Sequence, residues 1–328
     1  MLTEFLRAAR TLIVISGFAV ATIASAQNVA DYPNKPVKIV LPYLAGGGPD
    51  TFARMLAERL SKRFGQPVIV DNKPGASGAI GAQSVATAPK DGYTLLMAVT
   101  GLVQVPSLVP NPTYDPIKDF SSIAHLGGTH LALIINAQQP ANSVSEFIAY
   151  VKSKPKKINY ASYGVASLSH IFGEIFNDVA GLDLTHIAYK GDGPALIDIL
   201  ENRVESGFLS VLQVRQHVAT GKLKVLAVTG TTRSPLMPNV PTFSEAGVNG
   251  LEAQGWFGLL APAGTPAAVQ QKIGTAVNEI LREPDVRSRL LEMGIVAGGS
   301  TPEEFSRLLQ HDARMYRDIF KKYNITLN

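Results

Sequence analysis

PVKIVLPYLAGGGPD, residues 36–50, sets the fold class of this 328-residue chain. Residues 36–42 form a short, apolar, β-rich run. It opens into Tyr43-Leu-Ala-Gly-Gly-Gly-Pro49, a loop with no charged side chain, and Asp50 then has the chemistry of a helix N-cap. Phe52, Met55, Leu56, Leu60 and Phe64 follow at helical spacing, and Gly65 ends the pattern. Working outward, residues 67–70 predict a second strand. Asn72-Lys-Pro-Gly-Ala-Ser-Gly78 predicts a turn into a helix of small residues ending near Ala88. A third strand is expected at 93–99, after the Asp91-Gly92 turn. Strand, helix, strand, helix, strand is the pattern of a parallel sheet with right-handed crossovers.

The middle of the chain repeats the theme. Strands are expected at 131–135, 157–161, 184–189, 204–209 and 225–229. Helices are expected at 143–152, capped by Ser143, at 168–179, and from Gly191-Asp-Gly-Pro194 to about Asn202. After Pro238-Asn-Val-Pro241 the pattern changes to a strand at 256–261, helices at 266–282 and 285–293, a short strand at 295–296 and a last helix from Pro302 to about Tyr323. The expected organisation is a first α/β lobe over 27–125, completed by 251–328, and a second lobe over 126–250, a length that suits two domains.

Composition excludes several classes. There is no cysteine, hence no disulfide, thiol nucleophile or cysteine-held metal. The net charge of +4 comes from scattered Lys and Arg without a basic run, which argues against a nucleic-acid surface. At the amino end, Arg7 and Arg10 precede an apolar run at 11–23, too short for a comfortable membrane span, and then Ala24-Ser25-Ala26. This reads as a secretory leader over 1–26 with Gln27 starting the mature chain; the alternative is an uncleaved membrane anchor. The expected location is outside the cytoplasm.

Function enters through a device that occurs twice: a buried strand, an uncharged loop of small residues, and the start of an amphipathic helix. One copy spans 37–64 and the other 158–179, with Ser162-Tyr-Gly-Val-Ala-Ser167 as its loop. A helix amino end carries unpaired N–H groups and partial positive charge, glycine allows close approach, and ligands of open α/β sheets sit beyond the carboxyl ends of the strands. Two such ends across a cleft would grip an anion with backbone donors. The bland alternative is that Gly46, Gly47 and Gly48 only make a tight turn.

Val37-Lys-Ile-Val-Leu-Pro-Tyr-Leu-Ala-Gly-Gly-Gly-Pro-Asp50 resembles the opening of the Bug-type extracytoplasmic solute receptors, the binding proteins of tripartite tricarboxylate transporters. The resemblance continues in order through Asn72-Lys-Pro-Gly-Ala-Ser-Gly78, Asp91-Gly-Tyr-Thr-Leu95, Tyr160-Ala-Ser-Tyr-Gly164, His170, Glu174, Tyr189-Lys-Gly191, Leu226-Ala-Val-Thr229, Pro238-Asn-Val-Pro-Thr242, Trp256-Phe-Gly-Leu-Leu-Ala-Pro262 and Thr301-Pro-Glu-Glu-Phe305. Each motif is weak and the ordered set is strong. The resemblance implies a two-lobe periplasmic-binding-protein fold (type II-like), each lobe a mixed, mostly parallel sheet flanked by helices. It implies no catalysis and no cofactor. It also implies a carboxylate held by backbone N–H groups and waters from Tyr43, Ala45, Gly46, Gly47, Gly48 and Asp50 in one lobe and Ser162, Tyr163, Gly164, Val165, Ala166 and Ser167 in the other. Large and small membrane subunits on other chains would complete transport. Where many members are small or polar, this chain has Tyr163, Val165 and Ala166; it reads Thr100-Gly101-Leu-Val103 after the third strand, and Glu205 where Asp is common. These departures suit a less polar pocket for an aromatic or longer-chain acid, or are neutral drift.

Other residues have two readings each. His170 and Glu174 share a helix face, as a metal pair without a third ligand or, more simply, as a first-turn His bonding the loop. Asp50 caps its helix or receives a ligand ammonium. Lys190, before Gly191, sits at the cleft edge or in solvent; Trp256 walls the cleft or belongs to the core. No nucleophile elbow or phosphate loop is present, so an exported hydrolase using Ser167 with His170 is the remaining enzyme reading. A sensor that signals to a membrane partner is the third class. Di- and tricarboxylates, acidic amino acids and aromatic acids all remain open as ligands.

Overall fold

A computed structural model describes residues 31–154 and 158–326 of the chain. The leader, with its cleavage site, lies outside the described residues. Among them, no helix is long and apolar enough to cross a membrane.

The opening stretch folds as strand β1 (Val37–Leu41) and helix α1 (Gly48–Phe64), followed by β2 (Val68–Asn72), α2 (Ala79–Ala86) and β3 (Thr94–Val99). β1 pairs in parallel with both β2 and β3. Its run is buried at every position but Lys38, as a strand covered on both faces requires. A short helix α3 (Gly101–Gln104) leads to β4 (Phe120–Thr129). β10 (Gly255–Pro262) lies antiparallel between β3 and β4, and β11 (Val296–Ala297) closes the order β11-β4-β10-β3-β1-β2. Helices α8 (Ala267–Arg282), α9 (Pro284–Glu292) and α10 (Pro302–Lys322) return to this first sheet, the last begun by a capping box of Thr301 and Glu304.

The second sheet has the order β7-β6-β8-β5-β9, with β5 (Leu131–Asn136), β6 (Asn159–Ser162), β7 (Thr185–Ala188), β8 (Ser206–Ser210) and β9 (Leu223–Val228). Helices α4 (Val144–Ser153), α5 (Leu168–Ala180), α6 (Asp192–Leu200) and α7 (Val211–Ala219) flank it. The two sheets make two mixed α/β lobes. The buried face of α5 supplies Phe172 and Phe176, which meet Phe147, Phe208 and Phe243 ring to ring. Gly173 lets α5 approach β6, because a Cβ there would collide with the ring of buried Tyr160. Gly173→Ala is therefore expected to lower stability by about 1–3 kcal/mol through overpacking, read as a drop in the urea midpoint at unchanged m-value.

β4 and α7 were not predicted. Ser121, Ser122, Gly127 and Gly128 break the alternation of β4, yet its glycines are packing requirements: a Cβ on Gly127 would lie 2.7 Å from the carbonyl oxygen of Val296. α7 buries only Val211 and Val214, too few to mark a helical stripe. Because β4 runs unbroken to Thr129, the first crossing between sheets falls at His130 instead of residue 125, and the second spans 229–254.

Candidate functional site

Strand direction determines which loops meet. β1 and β3 are parallel, so their carboxyl ends share an edge; β6, β7 and β8 likewise end together at Ser162, Ala188 and Ser210. β4 ends on the edge of β3, and after one residue β5 starts opposite Ser210. The carboxyl edges of both sheets thus lie on either side of the crossing at His130.

On the first edge, the amino end of α1 is organised by glycine and one carboxylate. Gly47 takes the N-cap position in an extended conformation, with no side-chain cap. Asp50 is thus not the cap; it sits in the first turn and reaches back. Its Oδ2 accepts from Gly46 N–H (2.9 Å) and Arg54 Nε (2.8 Å), and its Oδ1 from Asn72 Nδ2 (2.9 Å). The Arg54 hydrogen bond is the largest influence holding this buried carboxyl near pKa 2. Asp50 is a buckle for the loop, with its acceptors used by the protein. A Cβ on Gly46 or Gly48 would meet nothing within 4 Å, and one on Gly47 only Pro49 Cδ at 3.8 Å. Packing does not demand glycine at 47 or 48; only Gly46, at φ +86°, needs it for backbone reasons. Ala45 is exposed in the same turn.

Tyr43 tucks its hydroxyl toward Gly101, where a Cβ would come within 3.4 Å, and burial pushes its pKa to about 12. Thr100 Oγ1 accepts from Trp256 N–H (2.9 Å), tying β3 to β10. Trp256 is buried, donates from Nε1 to Asp312 (2.8 Å) and packs edge-on against Phe305. It is a core residue that also lines a cavity of about 320 Å³ with His125, Glu252, Leu308, His311 and Asp312.

On the second edge, the loop after β6 is wound tightly. Ser167 caps α5, accepting from His170 N–H and donating to Gly164 O (2.6 Å). Ser162 Oγ bonds Gly164 and His186 Nε2 (2.6 Å). Ala166 adopts φ +59°, and its N–H donates to His170 Nδ1 (3.1 Å). The rings of His170 and His186 stack at 3.8 Å, and burial holds both pKa values near 4, so both imidazoles are neutral at pH 7. His170 Nε2 lies 3.8 Å from Glu174, whose carboxylate is taken by Tyr160 Oη (2.5 Å). No cluster among the described residues is fit to hold a metal. Val165 remains half exposed, Tyr163 partly buried.

Gly191 N–H donates to Tyr163 O (3.2 Å), bringing residues 189–191 alongside this loop, with Lys190 exposed. Glu205 stands apart. It precedes β8 and accepts from Asn159 N–H (2.8 Å) and Nδ2 (3.1 Å), at the amino end of β6 and away from the loops. Arg54, Asn72 and His186, which shape the loops, were missed; only the Asp50–Arg54 pair, four apart on a helix, carried a signal.

Two α/β lobes whose strand ends present small-residue loops across a chain crossing define a solute-binding receptor of the periplasmic type. Residues 52–325 match the model of the tripartite tricarboxylate transporter family receptor, and the chain belongs to that family. It is a transport receptor for small organic acids, not an enzyme. Its fold matches a TctC solute-binding protein from Polaromonas, with no ligand, at 31% identity and TM-score 0.82, covering 89% of this chain and 99% of that one. It also matches R. palustris Rpa4515 with adipate (32%, 0.73; 90% and 99%) and MatC from Rhodopseudomonas palustris with bound malate (32%, 0.68; 88% and 99%).

Proposed function

We propose that this chain is an exported, periplasmic receptor that grips a small organic carboxylate between loops 43–50 and 162–167 and delivers it to the large and small membrane subunits of a tripartite transporter. The observation that carries this reading is the bare amino end of α1: Gly47 and Gly48 leave open space that the protein's own packing does not require. The first-turn N–H groups of a 17-residue helix lack intrahelical acceptors and favour an anion. α5 offers a second such end behind Ser167, although Ser167 and His170 already satisfy part of it.

The malate and adipate held by two relatives support a dicarboxylate-sized ligand. Although no more similar in sequence (31% against 32%), the ligand-free relative superposes better on this fold than either complex does, which supports lobes that close by hinge motion about the crossings. Leu44 and Val165, exposed at 74% and 50% on the two loops, would be covered by that closure and would favour an acid with an apolar stem. Micromolar affinity, about 8 kcal/mol, is within reach of several charge-assisted N–H bonds and this apolar burial. The leader reading, with cleavage after Ala26, supplies export.

The test is a thermal-shift panel on protein starting at Gln27, freed of co-purified ligand, with dicarboxylates, citrate, acidic amino acids and aromatic acids. A true ligand at 100 times its Kd adds about 2.7 kcal/mol of stability. A selective rise with one acid class is expected; a flat response across the panel would remove carboxylate binding from this chain.

A further inference from the structure

The cavity of about 320 Å³ that Trp256 lines shares no residue with loops 43–50 and 162–167. Its walls come from the second crossing, Glu252 among them, from His125 and Trp256 of the first sheet, and from one face of α10 that carries Asp312 and Met315. Asp312 is 3% exposed. Its Oδ2 accepts from Trp256 Nε1 at 2.8 Å, and no other group among the described residues donates to this carboxylate. Oδ1 thus keeps its lone pairs for an occupant of the cavity. Glu252 is held in place by the Gly250 N–H (2.9 Å) and Ser244 Oγ (2.8 Å).

Charge decides what such a cavity takes. Two carboxylates line it, and neither Lys nor Arg does among the described residues. Burial keeps the His125 imidazole neutral, with a pKa near 4, and His311, which also lines the cavity, is exposed to solvent. A buried carboxylate with a free oxygen is costly unless a donor or a cation meets it. Trp256 and Met315 add apolar wall, and an indole is the ring that attracts a cation most strongly. The volume lies at the small end of ligand pockets, which run from about 300 to 1,000 Å³.

We propose that this cavity is a second binding site, for a small primary ammonium compound: an N–H of the ammonium group donates to Asp312 Oδ1, and the carbon chain lies against Trp256 and Met315. The site is separate from the acid-gripping loops and does not rest on the receptor function proposed above. An anion would meet the charges of Asp312 and Glu252. A quaternary ammonium has no N–H for Oδ1, and an alcohol brings no charge. Each is disfavoured by the group it fails to satisfy. Burial raises the pKa of Asp312 to about 6, the direction that a bound cation would oppose.

Trp256 is the only tryptophan of the chain, so its fluorescence reads the cavity directly. Butylammonium chloride is expected to shift the emission saturably, with a Kd of about 1 mM, which so small a molecule can reach. Tetramethylammonium, 1-butanol and butyrate should bind about tenfold more weakly or not at all. Asp312→Asn, which keeps an acceptor for Trp256 and loses the charge, should weaken butylammonium about tenfold. Met315→Lys, three positions on along the same helix face, supplies an ammonium from the chain itself and should abolish the shift. A shift no larger than sodium chloride gives, equal binding of butylammonium and tetramethylammonium, or full binding by either variant overturns the proposal. So does a loss of acid binding in step with ammonium binding, because the cavity would then be no separate site. Failure of every acid to bind the unaltered protein would remove the receptor reading and leave this site standing.

Discussion

Gly47→Val is expected to weaken carboxylate binding at least about 100-fold, a loss near 2.7 kcal/mol, while the melting temperature moves by no more than about 2 °C. Gly47 has φ −82° and ψ 174°, an extended conformation that valine adopts readily, and its Cβ would find only Pro49 Cδ at 3.8 Å. The folded chain therefore has little reason to object. A ligand carboxylate seated on the first-turn amides of α1 has every reason to, because the branched side chain would occupy its closest approach and screen the N–H donors. Gly164→Val is the instructive contrast. At φ +150° it strains the backbone, so binding and stability should fall together. Titration calorimetry paired with thermal melts separates the two effects. Normal binding by a folded Gly47→Val protein would remove the α1 loop from the site.

Acid is expected to destabilise the protein at a pH well above the ordinary carboxylate range. Burial lowers His125, His170 and His186 to pKa values near 4 in the folded state, against an ordinary value of 6.5. An imidazole depressed in this way costs nothing above pH 6.5. It costs progressively more as pH falls from 6.5 toward 4, because the unfolded chain takes up the proton first. At pH 4.5 each contributes a loss of about 2 kcal/mol. Asp312 works in the opposite sense: burial raises it to about 6, so its penalty at neutral pH is relieved as pH falls below that value, returning about 2 kcal/mol. Asp50, near pKa 2, stays charged throughout this window. The net expectation is a loss of several kcal/mol between pH 7 and 4.5, read from urea midpoints at each pH. His186→Phe, which keeps the stack on His170 and Tyr160 without a titrating group, should flatten that slope. An acid limb of equal steepness in the variant would show that the stacked pair does not carry the effect.

The same two imidazoles mark how far the sequence could be read. His170 was legible as a first-turn residue close to its loop, because both lie within five positions of one another. His186 was not, because it reaches Ser162 only through the parallel pairing of β6 with β7. Asp50 was assigned to the right loop and the wrong position. A capping residue and a first-turn acid look alike in sequence, and only the backbone shows that Gly47 starts the helix. Glu205 entered the candidate site by resemblance and left it by strand direction: it stands at the amino end of β8, and the loops stand at the other end.

What the sequence determined by itself was local and periodic. Alternating strands and amphipathic helices, the two uncharged loops and the order of motifs follow from side-chain spacing and turn chemistry, which act over a few residues. What only the tertiary structure decided was nonlocal. It covers the burial of Trp256 against Asp312, the continuous β4 whose glycines admit β11, and the bond from Ser162 to His186 across β6 and β7. Those contacts join residues separated by tens to hundreds of positions. They exist because sheet order and helix packing bring the carboxyl edges of both lobes to one crossing, and a linear pattern carries no record of that distance.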